Sequence, residues 1–86
     1  MRLSWYSDAW NDYLYWQTHD KKILKKINDL LKDIARNGYT GIGKPEHLKG
    51  NLAGWLSRRI NGEDRLVYRI DGEGCLILQC KGHYDS

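Results

Sequence analysis

Phenylalanine is absent from the sequence, and proline occurs once in 86 residues. The large apolar side chains are instead four tryptophans and six tyrosines, which carry an N–H or an O–H group at one end. A chain of this length buries only about 60% of the surface that it exposes when unfolded, so a few large side chains must supply much of its core. We therefore expect an aromatic core in which buried indole and phenol groups find hydrogen-bond partners.

Cysteine is also scarce, and the two residues present, Cys75 and Cys80, fall in one predicted strand. Five residues apart on a strand, they should project to opposite faces, where they cannot form a disulfide with each other. Because the strand is apolar, we expect both thiols to be packed in the core rather than to act as nucleophiles beside a base. These features are typical of a protein of the reducing cytoplasm.

Long apolar runs are missing as well. No stretch of about 18 apolar residues occurs, and the N-terminal residues lack the apolar segment of a secretory signal. The sequence therefore predicts a cytoplasmic protein without a membrane span.

Motifs for metals and nucleotides are not found either. The three histidines, His19, His47 and His83, are scattered and belong to no paired-ligand motif. Gly41 and Gly43 are not followed by the Gly-Lys-Ser or Gly-Lys-Thr run of a phosphate-binding loop. We expect no metal and no cofactor.

The sequence does contain a modest excess of positive charge, with 14 Lys and Arg against 11 Asp and Glu and a formal net charge of +3. Residues 21–36 hold six basic and two acidic side chains, and residues 44–69 hold six basic and three acidic ones. Two basic segments favour a polyanionic partner, most simply RNA. A lysine-rich helix face that merely faces solvent remains an alternative.

Periodicity predicts two helices after a short strand at residues 2–6. Ser7 is a candidate N-cap for the first helix, which should end near His19, and Asp20 is a candidate N-cap for the second, which should end at Gly38. The residues expected to be buried are Trp10, Tyr13, Leu14 and Trp16 in the first helix, and Ile23, Leu24, Ile27, Leu30, Leu31, Ile34 and Ala35 in the second. The cationic residues on the opposite face of the second helix are Lys21, Lys22, Lys25, Lys26, Lys32 and Arg36.

The rest of the chain divides into a glycine-rich segment and three strand-like ones. Residues 38–54 contain five glycines and the one proline, which predicts a long loop of the kind that often carries function. Strands at residues 55–60, 65–70 and 75–80 should form an antiparallel meander joined by Asn-Gly and Asp-Gly turns. The order β-α-α-β-β-β predicts a single α+β domain over residues 1–86, with an antiparallel sheet and both helices packed on one of its faces.

Alternation along the middle strand assigns side chains to the two faces of this sheet. Those expected to face the helices are Leu66, Tyr68 and Ile70. Those expected on the open face are Arg65, Val67 and Arg69, joined by Arg59 from the preceding strand. An open face with this many arginines favours an anionic ligand.

One group of polar residues suits RNA chemistry: Glu46 and Lys49 in the loop, Arg59 and Arg65 on the sheet, and His83-Tyr84 after the last strand. Cleavage by the RNA's own 2′-hydroxyl needs a base for the hydroxyl proton, an acid for the leaving 5′ oxygen and positive charge at the phosphorane. A glutamate, a histidine and an arginine can fill these roles. Each also has a simpler interpretation as a turn residue, an exposed bystander or an ion-pair partner, and the tyrosine as a packing residue. The residues by themselves support RNA binding and leave catalysis open.

Five short motifs resemble those of the YoeB toxins, within the wider RelE-like toxins of bacterial toxin-antitoxin systems. They occur in the family's order and at its spacing, and together they extend over nearly the whole chain. The motifs are Trp10-Asn11-Asp12-Tyr13-Leu14-Tyr15-Trp16, Gly43-Lys44-Pro45-Glu46-His47-Leu48-Lys49, Ser57-Arg58-Arg59-Ile60, Asp64-Arg65-Leu66-Val67-Tyr68 and His83-Tyr84.

The resemblance implies a ribosome-dependent mRNA endoribonuclease that cuts the codon in the A site. By their positions in the motifs, Glu46 would be the general base, His83 the general acid and Arg65 the group that stabilises the transition state. Further contacts to the RNA would come from Tyr84, which helps place the nucleotide, and from Lys49 and Arg59 at phosphates.

The resemblance also implies partners: a YefM-like antitoxin, the ribosome with its mRNA, and a second copy of the chain in a homodimer. Small-subunit ribosomal RNA would contact the cationic helix residues Lys21, Lys22, Lys25 and Lys26. Family members commonly end at His-Tyr, whereas here Asp85 and Ser86 follow, and their negative charge would favour the protonated form of His83. The alternative function is a non-catalytic RNA- or ribosome-binding module of the same fold. Action on another target such as gyrase is disfavoured, because those relatives lack this acid and base.

Overall fold

The computed structural model describes residues 1–84. Its elements are β1 (Arg2–Trp5), α1 (Ser7–His19), α2 (Lys21–Asn37), β2 (Glu46–His47), β3 (Leu56–Arg59), β4 (Arg65–Asp71) and β5 (Gly74–Gln79), with one turn of 3-10 helix at Gly50–Leu52. Residues of both helices and of the central strands share one apolar core. The predicted α+β class, with two helices on one face of a sheet, is confirmed.

The five strands form one mixed sheet in the order β1-β5-β4-β3-β2. The predicted antiparallel meander is confirmed as β3, β4 and β5. Two further pairings were not expected: β1 runs parallel to β5, and β2 adds an edge strand inside the segment that the glycine content predicts to be a loop. The short β2 matters for function, because it fixes Glu46 to the sheet.

Helix α2 follows its sequence pattern closely. The Asp20 carboxylate accepts hydrogen bonds from the backbone N–H groups of Lys22 (3.0 Å) and Ile23 (3.2 Å), which confirms the predicted N-cap. Gly38 ends the helix at a φ of 67°, in the left-handed region that favours glycine. Ala35 is exposed, contrary to expectation, because it lies at the margin of the apolar stripe. The buried members of the stripe are Ile27, Leu30, Leu31 and Ile34.

The start of helix α1 differs from the prediction. Ser7 is the first helical residue, and the N-cap position belongs to Tyr6, whose side chain makes no capping hydrogen bond. The Tyr6 carbonyl accepts the N–H of Trp10 at 2.9 Å, so the first turn forms without a side-chain cap. The capping role predicted for Ser7 is therefore wrong.

The buried face of α1 is also rotated from the expected stripe. Tyr13 and Trp16 pack into the core as predicted, but Trp10 and Leu14 are exposed by 45% and 40%. Ala9 is fully buried in their place. A small side chain there lets the helix lie close to the end of β5, where the Trp16 indole N–H donates to a backbone carbonyl at 2.9 Å. A hydrophobic pattern gives weight mainly to bulky side chains, so it does not predict the burial of Ala9.

Both cysteines are buried and free, but they do not lie on opposite faces. Cys75 and Cys80 belong to the same core cluster beside the helices. The pairing between β4 and β5 shifts register at Leu78, and this bulge reverses the alternation before Cys80 is reached. Burial raises the pKa of the Cys75 thiol to about 11 and the pKa of the Cys80 thiol to about 12. Both thiols are therefore protonated and poor nucleophiles at neutral pH.

Apolar side chains cover both faces of the sheet. The core beside the helices includes Leu66, Tyr68 and Ile70, which confirms the face predicted for these residues. On the helix-free face lies a second group, which we call the small apolar cluster: Leu48, Trp55 and Val67, with Leu52, Leu76, Leu78 and Tyr84 partly buried against it. Within residues 1–84, no helix has the length and apolar character needed to cross a membrane.

Candidate functional site

One row of side chains crosses the helix-free face of the sheet. Glu46 in β2 lies opposite Ser57 in β3. Ser57 lies opposite Val67 in β4, and Val67 lies opposite Gln79 in β5. Directly opposed residues of antiparallel strands point to the same face, and Val67 belongs to the small apolar cluster. The exposed Glu46 therefore stands at one end of this row, which we call the Glu46 row, on the face without helices.

A pair of arginines occupies the adjacent row. Arg59 and Arg65 are directly opposed across β3 and β4. They lie two residues along the strands from Ser57 and Val67, which corresponds to about 7 Å. Like charges placed opposite each other destabilise a sheet. Among the described residues, neither guanidinium lies within 4 Å of a carboxylate, so the cross-strand ion pair considered for Arg65 is not formed.

Arg65 is held in place while Arg59 is exposed. Arg65 is only 8% exposed, and its Nη1 donates to the backbone carbonyls of Asn61 (2.8 Å) and Asp64 (3.2 Å). These contacts use one nitrogen of the fork, and their acceptors are neutral carbonyls. The arrangement combines one anchored and one exposed guanidinium, which suits the binding of an anionic phosphate.

The C-terminal segment returns to the same face beside Arg65. The Arg65 N–H donates to the Gly82 carbonyl at 3.0 Å, and the Gly82 N–H donates to Asp64 Oδ1 at 2.7 Å. The following residue, His83, is exposed, and Tyr84 is partly buried against the small apolar cluster. The rings of His83 and Tyr84 have their centroids 5.4 Å apart. The predicted acid therefore lies next to a backbone segment that is bonded directly to the predicted charge stabiliser.

The structure thus brings Glu46, Arg59, Arg65 and Tyr84 to one face, with His83 at its border. A carboxylate, an imidazole and two guanidiniums around an open sheet surface can supply a base, an acid and charge stabilisation to a phosphodiester. Lys49 lies exposed three residues after Glu46, where the 3-10 turn begins. Asp85, whose charge was expected to act on His83, lies outside the described residues.

The lysines of α2 are separated from this group. Helix α2 packs on the other face of the sheet, so its outward side is turned away from the Glu46 row. The lysines predicted to contact RNA there are Lys21, Lys22 and Lys25, which are exposed, and Lys26, which is half-buried. The Nζ of Lys25 lies 2.8 Å from Asp29, and this hydrogen bond lowers the pKa of the Asp29 carboxyl. The two basic segments of the sequence therefore form two surfaces.

Sequence reasoning missed a buried arginine directly beside the site. Arg58 has no exposed surface, and its guanidinium forms an ion pair with Asp33 of α2. The Nε donates to the Tyr68 hydroxyl at 3.0 Å. The backbone carbonyls that accept from its two terminal nitrogens are those of Gly38 (2.9 Å), Thr40 (2.8 Å) and Ile42 (3.0 Å). Alternation in β3 was the available signal, because it places Arg58 on the core side whenever Arg59 is outside.

This buried arginine organises the segment that leads to Glu46. The three carbonyls that accept from it lie between the end of α2 and Gly43, and the Gly43 carbonyl accepts the Arg59 N–H at 2.7 Å. Gly43 has a φ of 82°, and a Cβ there would come within 2.8 Å of the Leu30 side chain. Close approach to the core is therefore possible only for glycine at this position. The glycine-rich segment is a fixed connection rather than a free loop.

Among the described residues, no three His, Cys, Asp or Glu side chains are grouped closely enough to hold a metal ion. The histidines themselves are spread over the molecule: His19 stacks on Tyr15 in α1 with ring centroids 3.9 Å apart, and His47 stacks on Tyr39 at 5.9 Å. Only His83 borders the Glu46 row.

Comparison with known proteins identifies relatives that match most of the chain. Residues 5–84 match the family model described as the YoeB-like toxin of bacterial type II toxin-antitoxin systems. Toxin YoeB of Escherichia coli K12 is 54% identical over 84 residues, which cover 98% of this chain and 100% of that protein.

Solved structures agree with this match. The YoeB/ParE toxin from Agrobacterium tumefaciens has a TM-score of 0.95 at 45% identity, covering 98% of this chain and 100% of that one. YoeB from Staphylococcus aureus has a TM-score of 0.92 at 54% identity, covering 98% of both chains. It has been solved as a dimer and as a heterotetrameric complex with YefM.

Proposed function

The chain belongs to the YoeB-like toxins of bacterial type II toxin-antitoxin systems, and on that premise we propose that it is a ribosome-dependent mRNA endoribonuclease. The reaction is attack of the substrate's 2′-hydroxyl on the adjacent phosphorus. It expels the 5′ oxygen of the next nucleotide and leaves a 2′,3′-cyclic phosphate and a 5′-hydroxyl. No metal takes part in the chemical step.

The observation that carries this proposal is the opposed pair of Arg59 and Arg65 one row from Glu46. Two like charges side by side cost stability unless an anion lies between them. A phosphorane carries two negative charges and is the species that such a pair stabilises best. Glu46, on the same face, takes the proton from the 2′-hydroxyl.

His83 supplies the proton to the leaving oxygen in this scheme. Its side chain is exposed one residue after Gly82, whose carbonyl is bonded to the Arg65 N–H, on the far side of the row from the β2 edge. Base and acid thus flank the bound phosphate from two sides, as an in-line displacement requires. Tyr84, partly buried against the small apolar cluster, offers a face on which a nucleobase stacks. Lys49 adds a further contact to the RNA backbone.

We propose that the lysine face of α2 binds small-subunit ribosomal RNA. Since this face lies on the opposite side of the sheet from Glu46, the ribosome can hold the protein there while mRNA reaches the open face. The same division explains a dependence on the ribosome, because contacts of the lysine face with ribosomal RNA add to those that the catalytic face makes with mRNA. These partners place the activity in the cytoplasm.

The partners of the Staphylococcus aureus relative suggest two further partners for this chain. That protein forms a dimer and binds YefM. We propose that an antitoxin of the YefM type controls this chain and that the free toxin is a homodimer. Size-exclusion chromatography with light scattering, on the protein alone and after co-expression with an antitoxin of the YefM type, tests both assemblies.

The decisive experiment is single-turnover cleavage on ribosomes that carry a defined mRNA. A 2′-deoxynucleotide on the 5′ side of the scissile bond should abolish cleavage, and the product of unmodified mRNA should carry a 5′-hydroxyl. Glu46→Ala and His83→Gln should each lower the rate by at least about a hundredfold, as expected for general acid-base groups. His19→Gln and Glu73→Ala, which change exposed residues of the same types elsewhere, should leave the rate unchanged.

Efficient cleavage of the deoxy substrate would refute 2′-hydroxyl attack. Wild-type rates in both site variants would refute the roles of Glu46 and His83. Absence of cleavage by the wild-type protein would favour the second candidate, a non-catalytic ribosome-binding module, whose basis is the separate lysine surface on α2. Competition between the protein and a labelled A-site ligand would then measure that binding directly.

A further inference from the structure

The C-terminal segment that carries His83 is held by two side chains to which the sequence motifs assign no role. Residues near a chain terminus are poorly ordered unless they are tied down. Here the tie is made by Gln79 at the end of β5 and by Asp64 at the start of β4. Both positions lie within the sheet or its turns, so they connect the segment to a rigid part of the fold.

Gln79 acts on the backbone of the segment. Its Nε2 lies 3.3 Å from the carbonyl oxygens of Lys81 and Gly82 and 3.2 Å from that of His83. Three acceptors around one amide nitrogen fix the orientation of the amide, because the opposite orientation would place oxygen against oxygen. The segment therefore curls around a single donor group, and Gly82, with a φ of 77°, permits the turn.

Asp64 fixes the same turn from the other side. Its Oδ1 accepts the Gly82 N–H at 2.7 Å, and its Oδ2 accepts the Asn61 side-chain amide at 2.9 Å. Asn61 Oδ1 in turn accepts the N–H groups of Glu63 and Asp64, each at 2.7 Å. The carboxylate that holds the segment is thus part of the stiff connection between β3 and β4, which also carries Arg59 and Arg65 at its ends.

We propose that Gln79 and Asp64 are positioning residues for His83, and that they fix its backbone so that the imidazole reaches the leaving 5′ oxygen. This inference rests on the proposed function, in which His83 is the general acid. The two side chains touch only the backbone of residues 81–83, so the imidazole stays exposed toward substrate. A general acid must lie within hydrogen-bond reach of the atom that it protonates, and a misplacement of about 1 Å costs roughly a hundredfold in rate.

The test compares two mRNA substrates that differ in the leaving atom. One has the natural 5′ oxygen at the scissile phosphate, and the other has sulfur at that bridging position. A thiolate leaves without protonation, because thiols are far more acidic than alcohols. Any variant that acts through the general acid should therefore recover on the sulfur substrate, whereas a variant that damages the base, the phosphate site or the fold should not.

On the oxygen substrate, Gln79→Ala should lower the single-turnover rate by about tenfold to a hundredfold. Gln79→Glu should be slower still, since it places a carboxylate against three carbonyl oxygens. Both should come within about threefold of wild type on the sulfur substrate, as should His83→Gln. Asp64→Asn, which keeps an acceptor for the Gly82 N–H, should retain most of the activity that Asp64→Ala loses. Gln17→Ala, at an exposed position of α1, is the matched control and should behave as wild type.

Two results would overturn the inference. If sulfur rescues His83→Gln but not Gln79→Ala, then Gln79 serves the fold or the substrate rather than the acid. If sulfur fails to rescue His83→Gln, then His83 is not the acid, and the proposed mechanism fails together with the positioning role. Should Asp64→Ala fail to fold, as judged by its thermal melt, the Gln79 series decides alone.

Discussion

Replacing Arg58 with methionine should cost this protein a large share of its stability. The guanidinium is fully buried and joins helix α2, the segment after it and the β4 side chain Tyr68. Methionine has a similar length but none of the N–H donors of the guanidinium. Loss of the guanidinium leaves the Asp33 carboxylate and the carbonyls of Thr40 and Ile42 without the donor they have in the wild type.

The size of the effect follows from burial. Removing one partner of a buried ion pair costs about 3–5 kcal/mol, because the other charge and its neighbours lose their compensation. A domain of this length has a free energy of unfolding of roughly 4–13 kcal/mol. The substitution should therefore lower the melting temperature by about 12–40 °C, since 1 kcal/mol corresponds to about 4–8 °C at this size. Arg58→Lys keeps the charge but loses the planar fork, so its melting temperature should lie between those of the wild type and Arg58→Met.

Urea unfolding followed by circular dichroism measures this difference, with Arg59→Met as the matched control. Arg59 is the next residue of the same strand but is exposed, so the control should change stability by no more than about 0.5 kcal/mol. A loss below about 1 kcal/mol for Arg58→Met would refute the reasoning, because it would mean that the Asp33 carboxylate and the two carbonyls find water or other donors at little cost.

Three further predictions concern charge and reactivity. The pKa of Asp33 is held below its ordinary value of 3.8, chiefly by the hydrogen bond from the buried arginine. Its stabilising contribution is therefore present above about pH 4 and is lost as the pH falls through the lowered pKa, so urea midpoints should drop more steeply in acid for wild type than for Asp33→Asn. Cys75 and Cys80, whose burial raises the pKa of each thiol, should react with a thiol reagent at about pH 8 only at the rate of unfolding, and fast labelling of the native protein would contradict this. Arg59→Thr should stabilise the fold by about 0.5 kcal/mol while slowing cleavage, because it relieves the repulsion with Arg65, and a destabilised variant would argue against that repulsion.

Local patterns in the sequence predicted the parts of the fold that are local. The Asp20 cap, the apolar stripe of α2 and the Gly38 end all depend on residues within a few turns of one another, and all are observed. The three-stranded meander follows from alternation and from turn residues between adjacent strands. In such elements the sequence neighbours are also the structural neighbours.

Apart from the N-cap of α1, the features that sequence reasoning missed depend on distant partners. β1 pairs with β5, more than 70 residues along the chain, and nothing in residues 2–5 indicates that choice or its parallel direction. The bulge at Leu78 is set by the pairing with β4, and it moved Cys80 to the core face. Ala9 is buried because β5 lies against it, although its size gives no sign of this.

The candidate site shows the same division. Its residue types and their order could be predicted from motifs, and the open-face position of Arg65 from alternation. The contacts that hold these residues in place could not be predicted, because each of them joins segments that are distant in the sequence. Arg58 reaches from β3 to α2, and Asp64 reaches from the start of β4 to Gly82. Arg58 and Asp64 both fall within the motifs, but their role as supports is visible only once the chain is folded.

Strand β3 explains why stability and the proposed activity are linked in this protein. Its alternation sends Arg58 into the core and Arg59 toward the site, one residue apart. The first arginine fixes the segment that leads to Glu46, and the backbone N–H of the second is bonded to Gly43 in that segment. The opposed charges of Arg59 and Arg65 cost stability, and the buried ion pair beside them helps to hold the strands together against that repulsion. Substitutions that weaken the buried pair should therefore reduce activity through the placement of Glu46, even where none of them touches RNA.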